Sequence, residues 1–276
     1  MRFRSMKLSG IAPLAAALFV FPFAAPAAMA QSVDKELAAQ AIASSYPEFV
    51  KSADAEKIIW LDGSEMPLGQ VRQPDQAAKI LETPSVAEQF LFGYPLSDSK
   101  PELPKHDPGR TRNEPFFVKI YGDCRRTGLR GKLRTIRWLP KTAPQSVTVT
   151  TTNGIDRKLE AISDEIEKLP VEKRRAAVSL SGSYVCRVIA GTNRLSMHAY
   201  GAALDLHGRT GRYWRWSGLS EKARAVHFVP QEVIEIFERH GFIWGGNWYH
   251  VDSIHFEYRP ELIAYARLLK AKSPPQ

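Results

Sequence analysis

The chain has 276 residues, of which 44% are hydrophobic and 24% are charged, and its formal net charge is +9. This length and apolar content suffice for one large domain, or for a domain with an appendage, and they exclude a chain too polar to bury a core. The basic residues are scattered, without a long Lys/Arg run or a recognisable binding motif, so we expect no nucleic-acid partner.

Residues 1–30 have the three regions of a secretory signal peptide: a basic start, an apolar run over 11–25, and small residues at 28–30. A transmembrane anchor is the alternative, but the run is short and is interrupted by Pro22 and Pro26. We therefore predict an exported protein, located in the periplasm or, alternatively, secreted. No later segment approaches eighteen apolar residues, so we expect no membrane span in the mature chain.

Export bears on the two cysteines, Cys124 and Cys186. In an oxidising compartment a pair of cysteines is most simply a disulfide, whereas two buried free thiols are the alternative.

Removing the three basic residues of the signal leaves a net charge of +6, which suits an anionic partner such as a cell wall or a membrane surface.

Residues 31–115 form an N-terminal leader region whose role no motif reveals. Helical spacing of apolar residues predicts a helix over 33–46, ended by Pro47. Residues 94–115 are rich in proline and polar residues, which is typical of a loop or linker.

From residue 116 the pattern alternates irregularly between strands and helices. We therefore predict an α+β fold with a central antiparallel sheet flanked by helices, occupying 116–270 and followed by a short tail, 271–276. The predicted strands are 133–139, 146–152, 176–191, 203–207 and 242–246, and the predicted helices are 155–169 and those opening at Pro230 and Pro260.

The segment SMHAYGAALDLHG, residues 196–208, places His198 seven residues before Asp205 in an apolar setting. Residues seven apart on one strand point to opposite faces, so both can meet one ion only if the chain bends between them. Gly201 is the position where such a bend costs least.

A zinc peptidase needs three protein ligands, an open position for water and a nearby general base. His198, Asp205 and His255 supply two imidazoles and a carboxylate, and Asp252 supplies a base three residues before His255. A core histidine hydrogen-bonded to an aspartate is the alternative explanation of the first pair.

Two linked motifs make the zinc interpretation more specific. The first, S-x-H-x-x-G-x-A-x-D, spans 196–205, and the second, D-x-x-H-F-E, spans 252–257 after GFIWGGNW at 241–248. Together they resemble the M15 family of D-alanyl-D-alanine carboxypeptidase-like zinc peptidases, especially its L-alanyl-D-glutamate endopeptidase branch. Asn247 departs from that branch, where an Asp is expected.

The resemblance implies a hedgehog/D-Ala-D-Ala-peptidase-like zinc fold over 116–270 and one Zn²⁺ per chain, bound by His198, Asp205 and His255. It implies that Asp252 is the catalytic acid/base and that Arg187 stabilises the oxyanion, with a surface salt bridge as the alternative for Arg187.

Four further residues near the motifs have two interpretations each. Glu257 either orients a ligand imidazole or forms a plain salt bridge. Ser196 either does similar work or caps a turn. His250 and His207 each either face the substrate cleft or lie outside it, and the aromatic run RYWRW at 212–216 either walls a groove or packs under a loop.

These features predict an exported zinc metallopeptidase that cuts the peptide stem of peptidoglycan or its muropeptides, as a D,D-carboxypeptidase or as an L-Ala-D-Glu endopeptidase. A non-catalytic, zinc-stabilised domain that binds envelope peptides is the alternative. An exported serine hydrolase is disfavoured because no G-x-S-x-G motif is present.

Overall fold

The protein was analysed as a computed structural model that describes residues 32–73, 77–97, 106–206 and 229–272. The predicted signal peptide, most of the predicted tail, His207 and the run at 212–216 lie outside the described residues.

The helices begin and end where capping residues and prolines direct them. Asp34 caps α1 by accepting a hydrogen bond from the backbone N–H of Leu37, and Asn113 caps α3 in the same way through Phe116. The predictions for 33–46 and 155–169 are confirmed with slightly shorter bounds. The described helices are α1 (Lys35–Ser45), α2 (Ala77–Glu82), α3 (Glu114–Tyr121), α4 (Ile155–Glu167), α5 (Val171–Arg174), α6 (Gln231–Arg239) and α7 (Pro260–Lys272).

The strands form three antiparallel sheets in the described chain, ordered β1-β2-β3, β4-β5 and β6-β7-β9-β8. Mixed helices with antiparallel sheets are the α+β class that the sequence predicts. The strands are β1 (Val50–Ala53), β2 (Lys57–Trp60), β3 (Glu65–Pro67), β4 (Leu133–Trp138), β5 (Gln145–Thr150), β6 (Leu180–Gly182), β7 (Ala203–Leu206), β8 (Phe242–Trp244) and β9 (His255–Tyr258).

The prediction of one long strand over 176–191 is wrong. Only 180–182 pairs in the sheet, at its edge beside β7, and beyond it Val188 forms an isolated bridge with Leu195. After Gly182 the chain turns its backbone to other partners, because the N–H of Val185 donates to the carbonyl of His198. The β-branched residues that suggested a strand are largely exposed there, with Val185 at 45%.

The leader region and residues 116–270 share one hydrophobic cluster. Helix α1 packs against α7, and the N–H of Asp34 donates to the hydroxyl of Tyr265 at 3.0 Å. The ring of Phe116 lies 5.4 Å from that of Tyr46, with the planes at 80°. The leader therefore belongs to the same packed body as the sheet β6-β7-β9-β8.

Cys124 and Cys186 form a disulfide, so the predicted pairing is confirmed. It joins the loop after α3 to the segment that leads into the histidine motif. None of the described helices is both long and apolar enough to cross a membrane.

We expect the double substitution Cys124→Ala/Cys186→Ala to lower the free energy of unfolding. The cross-link spans 62 positions, and loop-closure entropy for a loop of that size corresponds to about 4 kcal/mol, of which about 2 to 4 is typically realised. Urea denaturation of both proteins measures the difference. Reduction should destabilise the wild type and leave the double variant unchanged, and a wild type indifferent to reductant would contradict the prediction.

Candidate metal centre

The structure brings His198, Asp205 and His255 together. One ligand atom from each lies within 4.8 Å of the others. Oδ1 of Asp205 is 3.2 Å from Nε2 of His198 and 2.9 Å from Nδ1 of His255. These are the three residues that the sequence predicts as metal ligands, and they lie on three separate segments of backbone.

Strand pairing and one tight turn produce this convergence. His198 lies in a single 3-10 turn, Met197–Tyr200, whose N-cap is Ser196. Gly201 ends the turn with φ of +67°, the left-handed conformation that glycine adopts without strain. The chain then enters β7, where Asp205 pairs directly with His255 of β9. The bend expected at Gly201 is thus present, and Ser196 lies at the cap of the turn.

Each imidazole is held by an acceptor on its far side. Nδ1 of His198 lies 2.7 Å from the carbonyl oxygen of Ser183, and Nε2 of His255 lies 3.0 Å from Oε2 of Glu257. A carbonyl and a carboxylate only accept, so both of these nitrogens carry a proton. In the neutral rings, the nitrogens that face Asp205 then present lone pairs, as metal-binding imidazoles do.

Hydrogen bonds within the site stabilise the charged forms of Asp205 and His255. Burial disfavours ionisation of Asp205, but hydrogen bonds with His198 and His255 outweigh burial and hold its pKa well below its usual range. Burial also disfavours a charged His255, yet hydrogen bonds with Asp205 and Glu257 raise its pKa to about 10. A divalent cation bound by these side chains would replace the proton shared between imidazole and carboxylate.

The donor set fits zinc. Zinc takes imidazole and carboxylate ligands at about 2.0 to 2.2 Å in tetrahedral geometry, which separates adjacent ligand atoms by about 3.3 Å. The observed separations between nitrogen and oxygen are 2.9 and 3.2 Å. Three protein ligands leave a fourth position for water or substrate.

Gly182 of β6 packs against the Asp205 carboxylate. A Cβ added at residue 182 would lie 2.8 Å from Oδ2 of Asp205, so any other residue there would displace this ligand. The strand register explains the contact, because Gly182 pairs with Asp205 across β6 and β7.

Asp252, the predicted acid/base, is half-buried on the loop before β9. Its N–H donates to the carbonyl of Gly245 at 3.0 Å, and its carbonyl accepts from the N–H of His255 at 3.1 Å. Burial raises the pKa of Asp252, the charge of Asp205 raises it further, and His255 and Arg110 oppose the rise. A raised pKa favours a group that must both accept and return a proton.

The end of the leader region lies against this loop. Asp107 accepts from the backbone N–H of His250 at 2.8 Å and lies 2.6 Å from its Nδ1. Arg110 donates to the carbonyl of His250 at 3.1 Å and lies 5.3 Å from the ring centre of Trp248. His250 therefore contacts the leader through its ring, rather than being held only by its own loop.

Asn247, which stands where the resemblance leads us to expect an Asp, also contacts the leader. Its Nδ2 lies 3.4 Å from the hydroxyl of Tyr94 and 3.4 Å from the carbonyl of Pro95. The Tyr94 hydroxyl already donates to Glu238 at 2.6 Å, so both neighbours of Asn247 present acceptors. A carboxylate at residue 247 would face them without a proton to donate.

Arg187 lies in the exposed stretch beside the disulfide, where its carbonyl accepts from the N–H of Ser196 at 3.1 Å. Its role at an oxyanion stays a prediction.

Sequence reasoning missed Ser183 and Gly182, since a backbone carbonyl and a missing side chain leave no chemical signature in a motif. It also missed Arg112, which donates to Oε2 of Glu257 at 2.8 Å from 145 residues away.

Comparison with known proteins supports the resemblance drawn from the motifs. Residues 190–258 match the family model described as D-alanyl-D-alanine carboxypeptidase, Peptidase_M15_4, which confirms the resemblance to M15 peptidases over that segment. It covers a quarter of the chain and contains the three candidate ligands, Asp252 and Glu257. No curated protein and no solved structure matches the chain.

We expect Gly182→Ala to weaken zinc binding about tenfold or more, the loss typical when a group that orients a ligand is disturbed. Its added methyl group would push the Asp205 carboxylate from its position, while its backbone φ lies outside the left-handed region. Competition with a chromophoric chelator measures the dissociation constant.

Gly93→Ala is the matched control, because a Cβ at residue 93 meets nothing within 4 Å. It should bind zinc as the wild type does. Equal zinc affinity of the two variants would show that the contact between Gly182 and Asp205 does not matter to the site.

Proposed function

We propose that the protein is an exported zinc metallopeptidase that hydrolyses peptide bonds in the stem peptide of peptidoglycan, built on a hedgehog/D-Ala-D-Ala-peptidase-like zinc fold. The observation that carries the proposal is the convergence of His198, Asp205 and His255, with a proton acceptor behind each imidazole. The match of residues 190–258 to an M15 peptidase family supports peptidase chemistry at this site.

The chain's own residues divide the catalytic work. Zinc bound by His198, Asp205 and His255 would supply a Lewis acid and would lower the pKa of a water molecule. Asp252 accepts a proton from the attacking water and later donates one to the leaving amine. Its raised pKa suits both steps. Arg187 stabilises the negative charge that develops on the carbonyl oxygen.

The choice of peptidoglycan rests on the signal peptide, the basic charge and the family match together. An exported chain with an excess of positive charge meets the anionic cell envelope. We propose the periplasm as its location.

The substrate bond is either the terminal D-Ala-D-Ala bond or the L-Ala-D-Glu bond within the stem. Asn247 departs from the endopeptidase branch, and its side chain contacts the leader region, so both bonds stay candidates.

Digestion of purified sacculi followed by mass spectrometry of the muropeptides tests the proposal. The masses of the products identify the bond, and loss of products after chelation with recovery on adding Zn²⁺ identifies the metal. A wild-type protein that binds zinc but releases no product would support the alternative, a non-catalytic domain that binds envelope peptides.

We expect Asp252→Asn to retain zinc and to lower kcat about a hundredfold to ten-thousandfold, the usual contribution of a general acid/base. The amide keeps the size of the side chain but cannot accept the proton. Metal analysis and initial rates on sacculi are the measurements.

Asp156→Asn is the control for that substitution. Asp156 is a buried carboxylate on α4 that pairs with Arg134 of β4 at 2.9 Å. It should keep the wild-type rate. Full activity of Asp252→Asn would remove Asp252 from the mechanism.

A further inference from the structure

Glu257 connects the candidate metal centre to the leader region. It is fully buried, and its Oε2 accepts both from His255 Nε2 at 3.0 Å and from Arg112 at 2.8 Å. Its other oxygen accepts from Arg259 at 3.2 Å. Two guanidiniums therefore surround the carboxylate that holds a candidate zinc ligand.

Within the described chain, both arginines contact Glu257, but only Arg259 has a second carboxylate partner. Arg259 donates through Nε to Glu261 at 2.5 Å, and the second oxygen of Glu261 accepts from the hydroxyl of Tyr46 at 2.6 Å. Arg259 and Glu261 thus form their own ion pair. Arg112 contacts no carboxylate other than Glu257 among the described residues, whereas Arg259 divides its charge between Glu257 and Glu261.

Neighbouring backbone groups hold Arg112 in this position. Its NH1 also donates to the carbonyl of Gly109 at 2.9 Å, and only 8% of the residue is exposed. Arg112 directly precedes Asn113, the N-cap of α3, so a helix terminus holds its backbone. A long, charged side chain buried in this way has a defined direction, toward Oε2 of Glu257.

We propose that Arg112 is a positioning residue for the metal centre. It holds the Glu257 carboxylate in the orientation that keeps the proton of His255 on Nε2 and directs Nδ1 toward the metal. The leader region thereby completes the site, an inference that rests on the proposed zinc function. Without Arg112, the carboxylate would be free to turn toward Arg259 and to lose its contact with His255.

Arg112→Met removes the charge and keeps a long, unbranched apolar stem, and Arg112→Lys keeps the charge. We expect Arg112→Met to weaken zinc binding about tenfold to hundredfold, and Arg112→Lys to recover part of that loss. Chelator competition on the full chain gives both dissociation constants. In the zinc-loaded protein, long-range ¹H–¹⁵N spectra should show the His255 proton fixed on Nε2 in the wild type and less so in Arg112→Met.

Arg72→Met is the matched control, because Arg72 also lies in the leader and also pairs with a fully buried carboxylate, Glu88, at 2.7 Å. Both substitutions break a leader ion pair and should lower the melting temperature. Only Arg112→Met should change zinc affinity. Equal zinc affinity in folded Arg112→Met and wild type would overturn the proposal.

A double-substitution cycle covers the case in which Arg112→Met folds poorly. If Arg112 acts through Glu257, then Arg112→Lys should weaken zinc binding in the wild-type background and have little effect in Glu257→Gln. Additive effects would overturn the proposal. The test of the peptidase function has a separate outcome. A wild type that binds zinc without cutting sacculi would contradict the enzyme proposal and leave the role of Arg112 intact. A wild type that binds no zinc would overturn both proposals.

Discussion

The pairing of β7 with β9 is the constraint on which the site depends. Asp205 lies opposite His255 in this register, so a shift by one residue would turn one of them to the other face of the sheet. The register is fixed from the apolar face. The ring of Phe256 stacks 3.9 Å from that of Phe237 on α6, and Tyr258 packs edge-on against Phe242 at 5.2 Å. Hydrophobic packing on one face thus positions the polar ligands on the other.

That polar face is buried, so its charges must be balanced within the fold. The carboxylates and cations alternate from Asp205 through His255, Glu257 and Arg259 to Glu261. Two residues of the leader region join this series of charges, Arg112 at Glu257 and Tyr46 at Glu261. Removing one member leaves a buried charge without its partner, which is far more costly than losing a surface ion pair. Packing of α1 on α7 and neutralisation of Glu257 therefore make the leader part of the environment of the candidate metal centre.

The features that could be predicted from the sequence are those that local residue patterns encode. Helical periodicity and flanking prolines located α1 and α4, and motif spacing identified the three residues that converge, together with the bend at Gly201. The strand prediction over 176–191 failed because β-branched residues signal extended backbone without showing whether a partner strand exists. Ser183 and Arg112 were beyond reach for another reason, since a carbonyl acceptor and an ion pair 145 residues apart in sequence exist only once the chain is folded.

Burial also changes the meaning of the net charge. Among the described residues, the buried carboxylates are Glu88, Asp107, Asp156, Glu238, Glu257 and Glu261, whereas the buried guanidiniums are those of Arg112 and Arg259. Among these described residues, the fold therefore buries more acidic groups than guanidiniums. Within the described part of the chain, the groups that a polyanion can contact directly are therefore more basic than the composition of that part alone indicates. Glu257 belongs to this buried set and also contacts His255, so one of the buried carboxylates orients a candidate metal ligand.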